Sequence, residues 1–135
     1  MTKAPTNPLA RPGVQAAKII FLVAGISGLL TVFPLYFFEQ RMARDYPPAI
    51  THPEFFYGFI GVTLAWQVAF LLIGTDPVRF QPLIAAALIE KHGFGIAAVL
   101  LYLANRISSA TLIFGFIDLA WGVLFVICYV RLPRA

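Results

Sequence analysis

Four long apolar stretches, separated by short polar segments, constrain the fold of this chain more than any other feature. They cover about residues 17–38, 55–74, 82–105 and 109–130. Each is long enough to cross the hydrocarbon core of a bilayer, which takes about 20 helical residues. The backbone in lipid must satisfy its own hydrogen bonds, and these runs lack the polar–apolar alternation of barrel strands. The sequence therefore predicts an all-α fold, an integral membrane four-helix bundle.

The composition agrees with lipid as the main solvent of the chain. Hydrophobic residues make up 60% of the 135 residues and charged residues 12%, whereas soluble domains are about 45–50% apolar and about 25% charged. At this length we expect one domain, a transmembrane domain over 17–131, between polar tails over 1–16 and 132–135. The first apolar run is too long for the core of a cleaved signal peptide, so we expect a retained helix.

Proline and glycine mark the ends of the first helix. The chain up to Val14 contains Pro12, Gly13 and two earlier prolines, so we expect it to lack regular structure. Pro34 falls near the other end of the first apolar run, where it should kink the helix.

The positions of the cations predict how the helices are oriented. One side of the membrane collects six of them: Lys3, Arg11, Lys18, Arg79, Arg131 and Arg134. The other side has three: Arg41, Arg44 and Arg106. Because cytoplasmic flanks are richer in Lys and Arg, both termini are predicted to be cytoplasmic. The cations are spread over segment ends, so the net charge of +4 indicates contact with lipid headgroups and not with nucleic acid.

Ionisable side chains inside the spans are the candidate functional residues, because a charge in lipid is costly. Asp118 has apolar neighbours on both sides and lies near mid-bilayer. Glu90 and His92 lie in the third span beside Lys91, whose long side chain could extend to the cytoplasmic headgroups.

Four polar residues, one from each span, fall at a similar depth. At 1.5 Å per residue, Ser27, Gln67, His92 and Asp118 lie roughly 13–20 Å from the predicted outer ends of their helices. We expect them to form one polar layer, with a hydrogen bond between His92 and Asp118 and with Gln67 and Ser27 completing it. Such a layer is either a ligand or proton site or a set of hydrogen bonds that holds the helices together.

Other chemistry is not supported by the sequence. The two histidines, His52 and His92, fall in different parts of the chain, and no metal-binding spacing occurs, so no metal site is predicted. Cys128 is the single cysteine. No motif indicates a particular cofactor. The loop from Glu39 to Glu54 is predicted to be a stiff connector with an aromatic anchor or a lid that holds a ligand.

Several segments resemble a group of uncharacterised bacterial four-helix inner-membrane proteins. The resemblance rests on 46–61, 64–70, 76–83 and 117–122. More distantly, the topology is similar to that of DoxX-like proteins and the EXPERA fold, with Gln67 and His92 in comparable places. The resemblance implies a bacterial inner-membrane location and polar residues that face a central cavity.

Two hypotheses of function follow. The first is a non-catalytic protein, either an accessory subunit of a larger membrane complex or a binder of a lipid-like molecule or pigment. Its partners would be the lipid bilayer and other membrane subunits or a hydrophobic small molecule. The alternative is an enzyme that acts on a quinone, isoprenoid or sterol-like substrate, with Asp118, Glu90 and His92 as acid–base groups.

Overall fold

The computed structural model describes residues 11–133, and over this range the chain is all-α. The elements are α1 (Pro12–Val32), a 3-10 helix (Phe33–Phe37), α2 (Glu39–Asp45), α3 (Pro53–Thr75), α4 (Gln81–Leu103) and α5 (Ser109–Arg131). Four of these segments are long and apolar enough to cross a membrane: α1 with its 3-10 extension, α3, α4 and α5. This confirms the predicted all-α four-helix bundle.

The first helix differs from the sequence prediction at both ends. It begins at Pro12, inside the segment expected to lack regular structure, because Val14 is buried in the core and packing there fixes the helix. At the other end the chain changes to a 3-10 helix that contains Pro34, which has no N–H for an α-helical bond. The tail before Arg11 lies outside the described residues, as do Lys3 and Arg134.

The bundle consists of two helix pairs. The contacts of α1 with α3 and of α4 with α5 are the most extensive, those of α1 with α5 are smaller, and those of α3 with α4 are smaller still. Glycines allow each pair to approach closely. A Cβ atom added to Gly25 would lie 2.8 Å from the carbonyl oxygen of Gln67 on α3, and one added to Gly95 would lie 3.0 Å from the carbonyl oxygen of Gly115 on α5.

Both ends of the described chain lie at the same end of the bundle, which we call the terminal end. The two helix pairs meet near it in an aromatic core. The Phe21 and Phe125 rings stack at 4.2 Å between centroids, and the Phe70 ring meets that of Phe125 at 5.1 Å. Eight other buried residues complete this core: Val14, Ala17, Ala24, Ile73, Ile84, Ala87, Cys128 and Leu132. The opposite end, with α2 and the α4–α5 connection, is the far end.

Candidate functional site

Three charged side chains meet where the helix pairs join, next to the aromatic core. The Lys91 ammonium donates to Asp118 Oδ1 at 3.0 Å, which links α4 to α5. It lies 3.5 Å from Glu90 Oε1 and 3.3 Å from Glu90 Oε2. Its Nζ is also 5.2 Å from the centre of the Phe70 ring on α3, a cation–π distance. We call Glu90, Lys91 and Asp118 the ion cluster.

The ion cluster lies in the middle of the membrane-spanning segments. Lys91 is near the centre of α4 and Asp118 near the centre of α5, each more than about 13 Å along its helix from either end. At this depth water does not screen the charges, so each one needs a partner within the protein or from a bound molecule.

The charges within the cluster are not balanced. One ammonium faces two carboxylates, so a proton or a cation is needed to neutralise the second carboxylate, or a hydrogen-bond donor to stabilise it. The Lys91 side chain is 7% exposed, whereas the side chains of Glu90 and Asp118 are 17% and 20% exposed. Glu90 Oε2 is buried without a hydrogen bond, since its 3.3 Å contact with Lys91 has ion-pair distance but not hydrogen-bond geometry. Glu90 therefore has a buried oxygen that no hydrogen bond uses.

The polar layer predicted from the sequence does not form as expected. Ser27 Oγ donates to the Ala24 carbonyl at 3.0 Å, and Gln67 Nε2 donates to the Thr63 carbonyl at 3.0 Å. Both bonds stay within one helix, so they do not link helices. Neither hydrogen bond joins Ser27 or Gln67 to the ion cluster.

The predicted hydrogen bond between His92 and Asp118 is also wrong. His92 Nδ1 lies 2.8 Å from the Leu88 carbonyl on its own helix, and its ring packs against Gly122 of α5. Lys91 and His92 both face α5, but they meet it one helical turn apart: Lys91 reaches Asp118, whereas His92 packs at Gly122, four residues further along α5. The acid–base set of the enzyme hypothesis is therefore divided, because two carboxylates meet at Lys91 and His92 does not.

Lys91 is the residue that the sequence analysis missed. The length of its side chain allows it to extend to the headgroups, but in the structure it bends inward, where two carboxylates and an aromatic face lie within reach. The signal was present in the sequence: a cation and a carboxylate at the same mid-span depth on consecutive helices. In lipid such a pair is far more stable joined than apart.

The remaining polar chemistry of the described chain is limited. Within residues 11–133 no group of three or more His, Cys, Asp or Glu side chains is close enough to hold a metal ion. Cys128 is buried in the aromatic core as a free thiol. These side chains suggest no site besides the ion cluster at this depth.

Comparison of the chain with protein-family models, with curated proteins and with solved structures finds no match. The chemistry of the ion cluster is therefore the main guide to function.

Proposed function

We propose that this protein is a non-catalytic membrane protein that binds a small lipid-like molecule, with the polar head of that molecule at the ion cluster. One observation carries the proposal: a mid-span cluster with one carboxylate more than it has cations, in which Glu90 Oε2 accepts no hydrogen bond. A buried acceptor without a donor is costly, and a ligand head that donates a hydrogen bond removes that cost.

The charge of the cluster predicts the class of ligand. A head with a primary amine brings the missing positive charge, and a hydroxyl brings a donor without charge. A carboxylate head would instead add a third negative charge. The surroundings of the cluster are apolar helix faces, so the rest of the ligand is an apolar chain or ring system.

The alternative functions predict different molecules bound to the purified protein. In an accessory subunit, a Lys or Arg from a partner helix would neutralise the second carboxylate, and a partner protein would co-purify in a fixed ratio. In an enzyme, the bound apolar molecule would be chemically changed. His92 Nδ1 contacts the Leu88 carbonyl of its own helix and not a carboxylate, which favours binding over acid–base catalysis.

We expect long-chain probes to stabilise the purified protein in the order primary amine, alcohol, carboxylate. The measurement is the thermal unfolding midpoint in a mild detergent with probes of equal chain length. Glu90→Gln should weaken amine binding about tenfold, because it removes a charge-assisted hydrogen bond of about 1.5 kcal/mol.

Glu54→Gln is the matched control, since Glu54 lies at the start of α3 and its side chain is 65% exposed. This variant should bind the amine as the wild-type protein does. Equal weakening in both variants, or strongest binding of the carboxylate probe, would contradict the proposal. Native mass spectrometry of the protein without added probe then distinguishes a retained small molecule from a co-purifying subunit.

We also propose a bacterial inner-membrane location with both termini in the cytoplasm. Among the described residues, four cations flank the spans at the terminal end (Arg11, Lys18, Arg79 and Arg131) and three at the far end (Arg41, Arg44 and Arg106). A fluorescent protein fused after Ala135 should fold and fluoresce in bacterial cells, whereas the same fusion in the α4–α5 connection should not. The reverse pattern would overturn the orientation.

A further inference from the structure

A pocket of about 440 Å³ lies at the far end of the bundle, beside the 3-10 helix and α2. The residues that line it include two tyrosines, one acid and two arginines: Tyr36, Tyr57, Glu39, Arg41 and Arg44. This volume falls within the range of small-molecule sites, about 300–1,000 Å³. The pocket is separate from the ion cluster, and we call it the far-end pocket.

The acidic part of the far-end pocket is held by the two tyrosines. The Tyr36 and Tyr57 rings stack with an interplanar angle of 13° at 6.0 Å between centroids. The Tyr57 hydroxyl donates to Glu39 Oε2 at 2.7 Å, which ties the start of α2 to α3. A fixed carboxylate beside aromatic rings is the arrangement that binds an ammonium group.

The basic part is held by Asp45, at the end of α2. Arg41 Nε donates to Asp45 Oδ2 at 3.3 Å, and Arg44 Nε donates to Asp45 Oδ1 at 3.2 Å. The hydrogen bond from Arg44, with help from Arg41, lowers the pKa of Asp45 below its ordinary value despite some desolvation. Asp45 therefore stays ionised at neutral pH and can hold both arginines. Each guanidinium has five N–H donors, so each can bind a phosphate as well.

The far-end pocket lies where the chain leaves the membrane. The first apolar stretch ends at Phe38, and the charged helix α2 begins at Glu39. Arg41 lies over the Phe38 ring, with its guanidinium carbon 6.0 Å from the ring centre. Aromatic rings and cations together are typical of the level of the lipid headgroups.

We propose that the far-end pocket binds the headgroup of a zwitterionic phospholipid that carries a primary ammonium group. Arg41 and Arg44 contact its phosphate, and Glu39, beside the stacked rings of Tyr36 and Tyr57, contacts its ammonium. The wall charges favour this class, because a purely anionic headgroup leaves Glu39 without a cation and a trimethylated one offers it no N–H donor.

The test is the binding of three short-chain lipids to the full-length protein in detergent, measured by native mass spectrometry. Phosphatidylethanolamine should bind about tenfold more tightly than phosphatidylglycerol or phosphatidylcholine, as expected for one more charge-assisted hydrogen bond. Glu39→Gln should remove this preference, and Arg44→Gln should weaken the binding of all three lipids about tenfold. Soluble phosphoethanolamine is the competitor that separates a lipid site from a site for a free phosphorylated amine.

The control is Arg79→Gln, since Arg79 lies at the terminal end with its guanidinium over the Phe80 ring. It should leave the three affinities unchanged. The Arg44 side chain is 76% exposed, so its loss should not affect folding, and Arg41→Gln repeats the test at a second position. The proposal is overturned by tighter binding of phosphatidylglycerol, by an equal effect of Arg79→Gln, or by full displacement of lipid by phosphoethanolamine at equal concentration.

If Glu39→Gln does not fold, Tyr57→Phe replaces it. This change removes the hydrogen bond that positions Glu39 and keeps the stacked ring. It should reduce the preference for phosphatidylethanolamine severalfold and leave binding of phosphatidylglycerol unchanged. If the Tyr57→Phe protein folds and still prefers phosphatidylethanolamine to the same degree, the proposed contact between Glu39 and the ammonium group is overturned.

Discussion

Replacement of Lys91 by Met should lower the free energy of unfolding by about 3–5 kcal/mol, the range for removal of one partner from a buried ion pair. The variant keeps the volume of the side chain but leaves Glu90 and Asp118 facing one another without the ammonium that lies between them. At mid-span neither carboxylate can reach water, so both must take up protons or the helices must separate. Chemical denaturation in a fixed detergent, followed by circular dichroism, measures the loss.

Two further proteins make this prediction specific. Lys18→Met removes the same charge near the start of α1 and should change the free energy of unfolding by less than about 1 kcal/mol. The triple variant Glu90→Gln, Lys91→Met and Asp118→Asn has no charge in the cluster and should recover most of the lost stability. A Lys91→Met protein as stable as the wild type would show that the cluster is not buried in the membrane.

The ion cluster also explains why Asp118→Asn should be well tolerated. This change leaves one ammonium and one carboxylate, Lys91 and Glu90, and keeps an amide oxygen that can accept the 3.0 Å hydrogen bond. We therefore expect a folded protein whose ligand preference has moved from amine to alcohol, because the excess negative charge is gone. The probe series described for Glu90→Gln measures this shift.

Gly25→Ala should destabilise the protein by about 1–3 kcal/mol, as overpacking of a close interface does. The new Cβ would lie 2.8 Å from the Gln67 carbonyl oxygen and equally close to the Leu71 side chain, so α1 and α3 must move apart. The backbone oxygen belongs to a rigid helix and cannot rotate away. Denaturation in the same detergent measures the change.

Gly93→Ala is the control on α4, because a Cβ there has no non-local atom within 4 Å. It should stabilise the protein by up to about 1 kcal/mol, since alanine is the better helix former. Opposite signs for these two identical substitutions would establish that the α1–α3 distance depends on Gly25. Destabilisation by both would point instead to a close partner helix on the Gly93 face.

The number of helices, their approximate positions and the depth of the polar residues follow from the sequence alone. Hydropathy is a local property, and an apolar run of about 20 residues in lipid has no alternative to a helix. Depth is equally local, because each helical residue adds 1.5 Å along the axis. The sequence thus predicts Asp118 near the middle of the fourth span and Glu90 within the third, because both follow from position along a helix.

Only the tertiary structure decided which of these residues meet. Partners depend on how each helix is rotated about its axis, and one residue along a helix changes that direction by about 100°. The contacts at Gly95 and Gly115 set the rotation and register of α4 against α5, so that Lys91 lies at the level of Asp118 and His92 at the level of Gly122. Four apolar runs therefore predict a membrane bundle, whereas close packing of small residues creates the charged site within it.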